Sequence, residues 1–424
     1  MLYRFNRILA WIILTVLCFC LFTFSEPRLI DETDRVRVYT RDIEFDYVSW
    51  MLNASWIKLQ QGATGTPGYL SREEGSVAVT DYLQLTQQVH QAEDALNRVY
   101  SDASVKDKLS ATAHLRAQIA DLTRKQNALI PIAEAVLQEQ VSEVAANFGL
   151  TTLGQPIPSI LFHSTPVPNA LIISPRDHIE QIADISLLPD LTLEQQIALE
   201  DRVSRNLNVS ALVVPIGGVG VYPTMITQTT DLSWLTSTIA HEWTHNYLEL
   251  RPLGLLYDET PELRTMNETT ADISGGEIGG EVMQRYYPEF ISSVFPQDLN
   301  LISFRPLEAT SAASSPPFDF NHEMHTTRVT VDALLAAGKI EEAEAYMEQR
   351  RQLFVQNGYY IRKLNQAYFA FYGAYADVPG GAAGEDPVGP AVRALRAQSK
   401  SLADFINRIA WMTSFDELKK AVGQ

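Results

Sequence analysis

Apolar residues recur every three or four positions along two stretches in the N-terminal third of the chain. The stretches run from residue 81 to about residue 100 and from residue 109 to about residue 148, and this spacing predicts α-helices. Pro131 falls inside the second stretch, where it is expected to break or kink the helix. Together the stretches predict a long antiparallel helical hairpin that acts as a spacer or packing arm.

The pattern is mixed in the residues that precede the hairpin. Residues 36–40 alternate between polar and apolar side chains, which is typical of a short strand. Residues 41–59 show a helical period instead, and the glycines between residues 62 and 68 indicate a turn-rich loop.

Beyond residue 150 the apolar runs are shorter and separated by proline and glycine. Residues 159–163, residues 170–174 and a buried run ending at Pro215 predict strands. Residues 191–203 predict a helix with Thr192 as its cap, whereas residues 177–188 are ambiguous.

The C-terminal region predicts helices and loops. Helices are expected at residues 323–337 and 340–357 on either side of a turn at Gly338, and at residues 391–408 as a closing helix. Residues 309–317 read as a surface loop. The predicted fold is therefore α+β and helix-rich, with a small sheet.

A continuous apolar run at residues 8–24 follows Arg4 and Arg7. Its length is near the lower limit for a transmembrane helix, and the preceding basic residues place the N-terminus in the cytoplasm. A cleaved signal peptide is the rival interpretation, but residues 22–26 lack the small residues of a cleavage site. We therefore expect a single-pass anchor in the lipid bilayer, with the remainder of the chain outside the cytoplasm.

Charge and cysteine content narrow the possible partners. The net charge of −18 and the pI of about 4.9 argue against nucleic-acid binding. Cys18 and Cys20 are the only cysteines and lie in the apolar run, so the exported part has no disulfides. The predicted divisions are an anchor at 1–29, a helical region at 30–149 and a region carrying the chemistry at 150–424.

The stretch from residue 238 to residue 248 contains the motif H-E-x-x-H. His241 and His245 are four residues apart, so on a helix they share one face and can bind one zinc ion. Glu242 then lies beside the open coordination position, where it can take a proton from water and deliver it to a leaving amine. The residues around the motif are uncharged, as a buried active-site helix requires.

A catalytic zinc site usually has a third protein ligand. The metzincin pattern is excluded because Leu248 and Arg251 stand where glycine and histidine would be needed. Glu268 is the alternative ligand, and Asp272 follows it by one helical turn. Asp272 is the natural candidate to hold the second ring nitrogen of His241. Four nearby glutamates have no aspartate four residues later: Glu259, Glu262, Glu277 and Glu281.

These residues resemble the gluzincins, the thermolysin-like clan of zinc peptidases, whose pattern is H-E-x-x-H followed by N-E-x-x-x-D. The resemblance covers roughly residues 212–285. It implies that His241, His245 and Glu268 are zinc ligands, that Glu242 is the general base, and that Asp272 orients a ligand. A weaker similarity connects the chain to bacterial predicted aminopeptidases, which have a comparable G-G-V…Y-x-T run before the motif.

A glycine-containing run precedes the motif. In gluzincins the strand before the zinc helix is an exposed edge that pairs with substrate backbone, which implies that residues 217–224 line the substrate cleft. The residues assigned to substrate binding are Gly217, Gly218, Val219, Gly220 and Tyr222. A plain turn is an equally good interpretation of these glycines.

Peptidases of this clan use a tyrosine or histidine to stabilise the tetrahedral oxyanion. Tyr368 and Tyr372 are one helical turn apart in an aromatic-rich segment and are the candidates for this role. His322, His325 and Arg328 are alternatives, and core packing is the usual role of any one of them. A second metal site at His322, Glu323 and His325 lacks a further ligand at a supporting spacing.

Three N-x-S/T sequons occur, at Asn53, Asn208 and Asn267. A glycan on Asn267 would sit beside Glu268, so a bacterial setting without routine glycosylation is the simpler hypothesis. The sequence therefore predicts a membrane-anchored zinc metallopeptidase that acts on a peptide or protein. The alternative is an inactive anchored scaffold that retains the zinc-helix fold for binding.

Overall fold

The computed structural model describes residues 32–101, 106–291, 318–359, 361–374 and 386–423, together with Ala382 and Gly384. These residues form a helix-rich α+β structure with two small sheets, which confirms the predicted fold class. Within them, no helix combines the length and the apolar character needed to cross a bilayer. The predicted anchor at 8–24 and the predicted loop at 309–317 lie outside the described residues.

Two helices precede the hairpin: α1 (Glu32–Arg37) and α2 (Tyr47–Thr64). The strand predicted at residues 36–40 is wrong, because Val36 is buried as part of helix α1 and turns follow it. Helix α2 begins later than predicted because Asp46 caps it, accepting a hydrogen bond of 3.0 Å from the Ser49 backbone. It also continues into the predicted loop as far as Thr64.

The predicted helical hairpin is confirmed. Its arms are α3 (Arg72–Ser101) and α5 (Ala113–Asn147), joined through the short α4 (Lys108–Ala111). The arms are antiparallel, since the start of α3 packs on the C-terminal half of α5 while the Gln126 side chain donates a 2.9 Å hydrogen bond to Thr86. Helix α5 continues through Pro131, so the predicted break is absent.

Two three-stranded sheets follow the hairpin. One has the order β1-β6-β5 and the other the order β3-β2-β4. The strands are β1 (Phe162–Ser164), β2 (Asn169–Pro175), β3 (Ala183–Leu187), β4 (Val209–Pro215), β5 (Gly218–Val219) and β6 (Thr224–Ile226). Strand β3 resolves the ambiguous segment at 177–188. Helix α6 (Leu193–Leu207) covers the second sheet and begins at Thr192, which forms the predicted cap.

The first sheet leads directly into the central helix pair. Helix α7 (Leu232–Leu248) carries the H-E-x-x-H motif, and α9 (Pro261–Tyr286) carries Glu268 and Asp272. The short helices α8 (Pro252–Leu255) and α10 (Pro288–Ile291) flank α9.

The predicted end of α9 near residue 278 is wrong, because Gly275 and Gly279 face α7 rather than solvent. A Cβ atom on Gly275 would lie 2.8 Å from the Ser237 carbonyl oxygen, and one on Gly279 would lie 2.6 Å from the Ser237 nitrogen. The glycines therefore let the two helices approach closely. Tertiary packing of this kind outweighs the intrinsic cost of glycine in a helix, about 1 kcal/mol per residue.

The remaining helices complete the fold. They are α11 (Phe320–Ala336), α12 (Ile340–Gln356), α13 (Gln366–Tyr372), α14 (Val388–Gln398), α15 (Leu402–Ile409) and α16 (Phe415–Val422). The turn at Gly338 between α11 and α12 is confirmed, with φ of +72°. The single closing helix predicted at 391–408 is wrong, because the Ser401 side chain caps a new helix by accepting a bond from the Asp404 backbone.

One apolar core joins the hairpin to the helix pair. It contains Leu137 of α5, Trp243 of α7, Ile278 of α9 and Phe405 of α15. The base of the hairpin is therefore packed against the helices that carry the motif. This packing fixes the position of α7 and α9 from one side, while the first sheet covers α7 from another.

Candidate metal centre

Both helices of the centre begin at well-formed caps. The Asp231 carboxylate accepts a 3.0 Å hydrogen bond from the Trp234 backbone at the start of α7. Thr260 caps α9 by accepting a 3.2 Å bond from the Leu263 backbone, and Pro261 occupies the first helical position. These caps satisfy exposed backbone donors at the helix starts and so help to fix where each helix begins.

His241, His245 and Glu268 converge between the two helices. The Nε2 atoms of the two histidines are 3.0 Å apart, and Glu268 Oε2 lies 3.7 Å from His241 Nε2 and 3.6 Å from His245 Nε2. One ligand atom from each residue falls within 4.8 Å of the others, so the group could hold a metal ion. His241 and Glu268 are buried, and His245 is nearly so.

The other ring nitrogen of each histidine is held by an acceptor on α9. His241 Nδ1 donates to Asp272 Oδ1 at 2.9 Å, and His245 Nδ1 donates to Asn267 Oδ1 at 2.8 Å. Because both acceptors are oxygens, each Nδ1 carries a proton and each neutral ring presents an Nε2 lone pair to its neighbour. Held this way, both rings are oriented as metal ligands.

The converging atoms are therefore lone pairs that face one another. Glu268 Oε2 is buried and has no hydrogen-bond partner among the described residues, which is costly unless a positive charge lies nearby. The arrangement favours either a proton or a metal ion between these groups. Burial lowers the pKa of His241, but the hydrogen bond and the charge of Asp272 have the larger effect. Together they raise the pKa of His241 to about 9.

Glu268 stays ionised in this environment. Burial alone would raise its pKa, but the charges of His245 and His241 lower it to about 2. The outward oxygen of Glu268 accepts a hydrogen bond from the Tyr257 hydroxyl, which in turn accepts one of 3.3 Å from Arg264 Nε. Arg264 also donates to the Ala370 carbonyl at 2.9 Å, so helix α13 supports the group through its backbone.

Glu242 lies directly beneath the glycine run. A Cβ atom on Gly218 would lie 2.5 Å from Glu242 Oε1, and a Cβ atom on Gly220 would lie 3.0 Å from His245 Cβ. Only glycine allows the backbone to come this close to the motif. Burial raises the pKa of Glu242, which makes its carboxylate a better proton acceptor.

The other residues of the glycine run lie around β5. In its sheet β5 is an edge strand and β6 is central, so the exposed edge is confined to Gly218 and Val219, while Thr224 is buried within the sheet. Gly217 packs against the Trp234 ring, and Tyr222 is exposed. The structure thus brings this edge and the metal group together on one side of α7.

Tyr368 and Tyr372 lie on α13, with ring centroids 4.5 Å apart. Both pack in an apolar cluster with Ile216, which immediately precedes the glycine run, and with side chains of β2 and β4. The contacts described for the metal group involve Tyr257 rather than these two tyrosines. The alternative donor Arg328 pairs with Asp332, and Glu323 pairs with Arg350.

Residues of β3 and of the start of α2 also lie close enough to the metal group to interact with its charges. Burial raises the pKa of the Asp184 carboxyl to about 6; Arg264 opposes this shift, and the negative charges of Asp258 and Glu268 add to it. The Asp184 side chain nevertheless remains accessible to solvent. Tyr47, at the start of α2, bonds to Ser186 of the same strand at 2.8 Å.

Sequence reasoning did not identify the roles of Asn267, Tyr257 and Arg264. Asn267 directly precedes Glu268 in the motif, so its position was visible although its contact with His245 was not. Tyr257 lies in the connection between α8 and α9, where no spacing rule applies. Arg264 precedes Glu268 by one helical turn, which is the one periodic signal that could have indicated it.

Comparison with protein-family models finds no family that matches this chain. Comparison with curated proteins and with solved structures also finds no match. The interpretation of the centre therefore depends on the geometry of its residues and on the motif they form.

Proposed function

We propose that this protein is a membrane-anchored, zinc-dependent metallopeptidase. The observation that carries the proposal is the convergence of three potential ligand atoms, from His241, His245 and Glu268, in a buried site. Glu242, the residue that follows the first histidine, lies at the same end of the site beneath an open strand edge. This combination is what metal-assisted hydrolysis requires.

The donor set favours zinc over other common ions. Two imidazole nitrogens and one carboxylate oxygen form the ligand set of a catalytic zinc site, which keeps its fourth position for water or substrate. Magnesium and calcium prefer sites built from oxygen atoms. A bound zinc ion would act as a Lewis acid on the scissile carbonyl and make the attacking water more acidic.

The residues of the chain have separate tasks in the proposed reaction. Glu242 accepts the proton of the attacking water and delivers it to the leaving amine. Asp272 and Asn267 keep the two imidazoles in the tautomer that presents Nε2. Tyr257 orients Glu268, because its hydroxyl donates a hydrogen bond to the Glu268 carboxylate.

The substrate is proposed to be a peptide or protein that lies along β5. An extended peptide can add to an exposed strand edge through backbone hydrogen bonds, and the β5 edge runs beside Glu242. Gly217, Gly218, Val219, Gly220 and Tyr222 are the residues proposed to contact it. The predicted anchor at residues 8–24 would hold this cleft outside the cytoplasm, close to the bilayer.

Metal content and peptide cleavage test the proposal together. The full-length wild type should contain about one zinc per chain and cleave members of a peptide library. Glu268→Ala should lose most of the zinc, while Glu242→Gln should keep the zinc and lose activity by orders of magnitude. Glu262→Gln, an exposed neighbour on α9, is the matched control and should behave as wild type.

The outcomes separate the peptidase from the scaffold. Zinc binding without cleavage in wild type would favour the inactive scaffold. Cleavage that is unchanged in Glu242→Gln would show that the assigned proton acceptor is wrong. A folded wild type that binds no zinc would remove the basis for the metal centre itself.

A further inference from the structure

Helix α2 presents an apolar stripe to solvent. Four large side chains at helical spacing are exposed: Val48 at 64%, Leu52 at 70%, Trp56 at 59% and Leu59 at 64%. The opposite face of the same helix is inward-facing, with Ala54 and Lys58 buried there. Helix α2 therefore packs on the protein with its inner face and exposes large apolar side chains on its outer face. Such an exposed apolar face is unusual for a helix on a protein surface.

The helix also carries almost no charge. Lys58 is the one charged residue in its sequence, and that side chain is buried in an ion pair with Glu134, at an Nζ–Oε2 distance of 2.5 Å. The exposed face of α2 thus has no charged side chain, in a chain whose net charge is −18. Exposed helix faces in soluble proteins ordinarily carry charged and polar residues.

The position of α2 in the chain indicates what covers the stripe. Residues 25–31 separate the apolar run at 8–24 from Glu32, where the described structure begins. A fully extended link of that length spans at most about 25 Å. If residues 8–24 cross a bilayer, Glu32 at the start of α1 must lie within that distance of its surface, and α2 follows only nine residues after the end of α1.

We propose that the α2 stripe (Val48, Leu52, Trp56 and Leu59) rests in the interfacial region of the membrane that holds the anchor. Its partner is a phospholipid surface, with apolar side chains entering the boundary between headgroups and acyl chains. Trp56 suits this location because tryptophan is enriched at membrane interfaces. The stripe offers no cation, so binding requires no anionic lipid and is insensitive to salt. The inference rests on the proposed membrane anchor and not on the metal centre.

A fluorescent label on the stripe tests this docking in the full chain. Cys18→Ala and Cys20→Ala remove the native thiols, and Leu52→Cys then accepts an environment-sensitive nitrobenzoxadiazole label. The protein is reconstituted into phosphatidylcholine vesicles, with or without lipids that carry a nitroxide quencher near the top of the acyl chain. The label at position 52 should shift to shorter wavelength and lose most of its emission when quencher lipid is present.

Two matched controls make the result specific. Leu255→Cys in the same background labels a leucine that is exposed at 74% on α8, and this label should keep its emission. Adding Val48→Ser, Trp56→Ser and Leu59→Ser to the Leu52→Cys protein should abolish the quenching while vesicle flotation, which reports the anchor, is retained.

Other results would overturn the proposal. A label at position 52 that shifts in wavelength but is not quenched by lipid would mean that a protein segment, either residues 8–24 or a second copy, covers the stripe. Equal quenching at positions 52 and 255, or quenching that survives the serine substitutions, would mean that the label itself enters the lipid. Quenching that requires anionic lipid would contradict the uncharged character of the contact.

Discussion

The side-chain oxygen of Asn267 lies 2.8 Å from the Nδ1 atom of His245. The same asparagine donates through Nδ2 to the Leu253 carbonyl at 3.3 Å, so both ends of its amide are engaged. Asn267 therefore joins the start of α8 to the metal group and fixes the tautomer of His245. Its role is equivalent to that of Asp272 at His241, with a neutral acceptor in place of a charged one.

Asn267→Ala should weaken zinc binding by about 10–100-fold, the usual effect of removing a residue that orients a metal ligand. The His245 ring would lose its acceptor and could expose either nitrogen to the metal. Competition with a chelator of known affinity measures the change. Asn53→Ala, at an exposed asparagine on α2, is the control. Equal zinc affinity in both variants would show that the Asn267 contact does not hold the ligand.

Gly218→Ala should reduce peptide cleavage by about 100-fold, because small displacements of catalytic groups have effects of this size. The added methyl group would meet Glu242 at 2.5 Å from Oε1 and 2.9 Å from Cγ, and the carboxylate would have to move. Zinc content should remain near that of wild type. Gly276→Ala, where a Cβ atom has no neighbour within 4 Å, should retain activity; if Gly218→Ala does as well, Glu242 does not act from this position.

Two adjacent glycines in α9 should respond in opposite directions. Gly279→Ala forces a methyl group against the Ser237 backbone and should lower the free energy of unfolding by about 1–3 kcal/mol. Gly280→Ala meets nothing within 4 Å and should raise it by about 1 kcal/mol through helix propensity. Denaturant unfolding of the two variants measures both values. A Gly279→Ala variant that is at least as stable as Gly280→Ala would show that close contact between α7 and α9 does not limit the stability.

Glu134 should make folding sensitive to acid. Its burial raises its pKa, but Lys58 and His163 lower it to about 2, below the ordinary value of about 4.5. Burial lowers the pKa of Lys58 and outweighs the opposing charge of Glu134. Glu134 also accepts hydrogen bonds from His163 and the Ser164 backbone. A depressed carboxyl pKa stabilises the fold above pH 4.5, and this contribution is lost as the pH falls towards 2.

The measurement compares wild type with Glu134→Gln. The difference between their free energies of unfolding should shrink by an amount of order 3 kcal/mol as the pH is lowered from 5 to 2. Other acidic groups titrate equally in both proteins and cancel in this difference. A difference that does not change with pH would mean that Glu134 is not ionised in the folded protein.

Part of this centre follows from sequence because it depends on spacing along one helix. His241 and His245 are four positions apart, as are Glu268 and Asp272, so each pair shares a helix face whatever the tertiary structure. Spacing does not determine which faces of α7 and α9 contact each other. Asn267 and Glu268 are neighbours and point in different directions, and both reach the histidines only because Gly275 and Gly279 let α9 settle closely onto α7.

The errors in the predicted fold have similar causes. The glycine pair at 279–280 resembled a helix end. Gly279 instead allows close packing against Ser237 of α7, and local sequence rules do not include such tertiary contacts. Ser401 lies within an apparently continuous apolar period and still starts a new helix, because its hydroxyl caps the Asp404 backbone. The contact from Tyr257 to Glu268 crosses a connection of irregular structure, where periodicity carries no information.

The burial of Asn267 bears on how this protein can be produced. Asn267, Glu268 and Thr269 form a glycosylation sequon, yet the Asn267 side chain is only 1% exposed and both ends of its amide are bonded inside the fold. In a eukaryotic secretory host, a sugar attached to the nascent chain would occupy the nitrogen that bonds Leu253. We expect secreted material from such a host to be misfolded and poor in metal, and Thr269→Ala, which removes the sequon, to restore it; mass spectrometry of the glycopeptide measures the modified fraction.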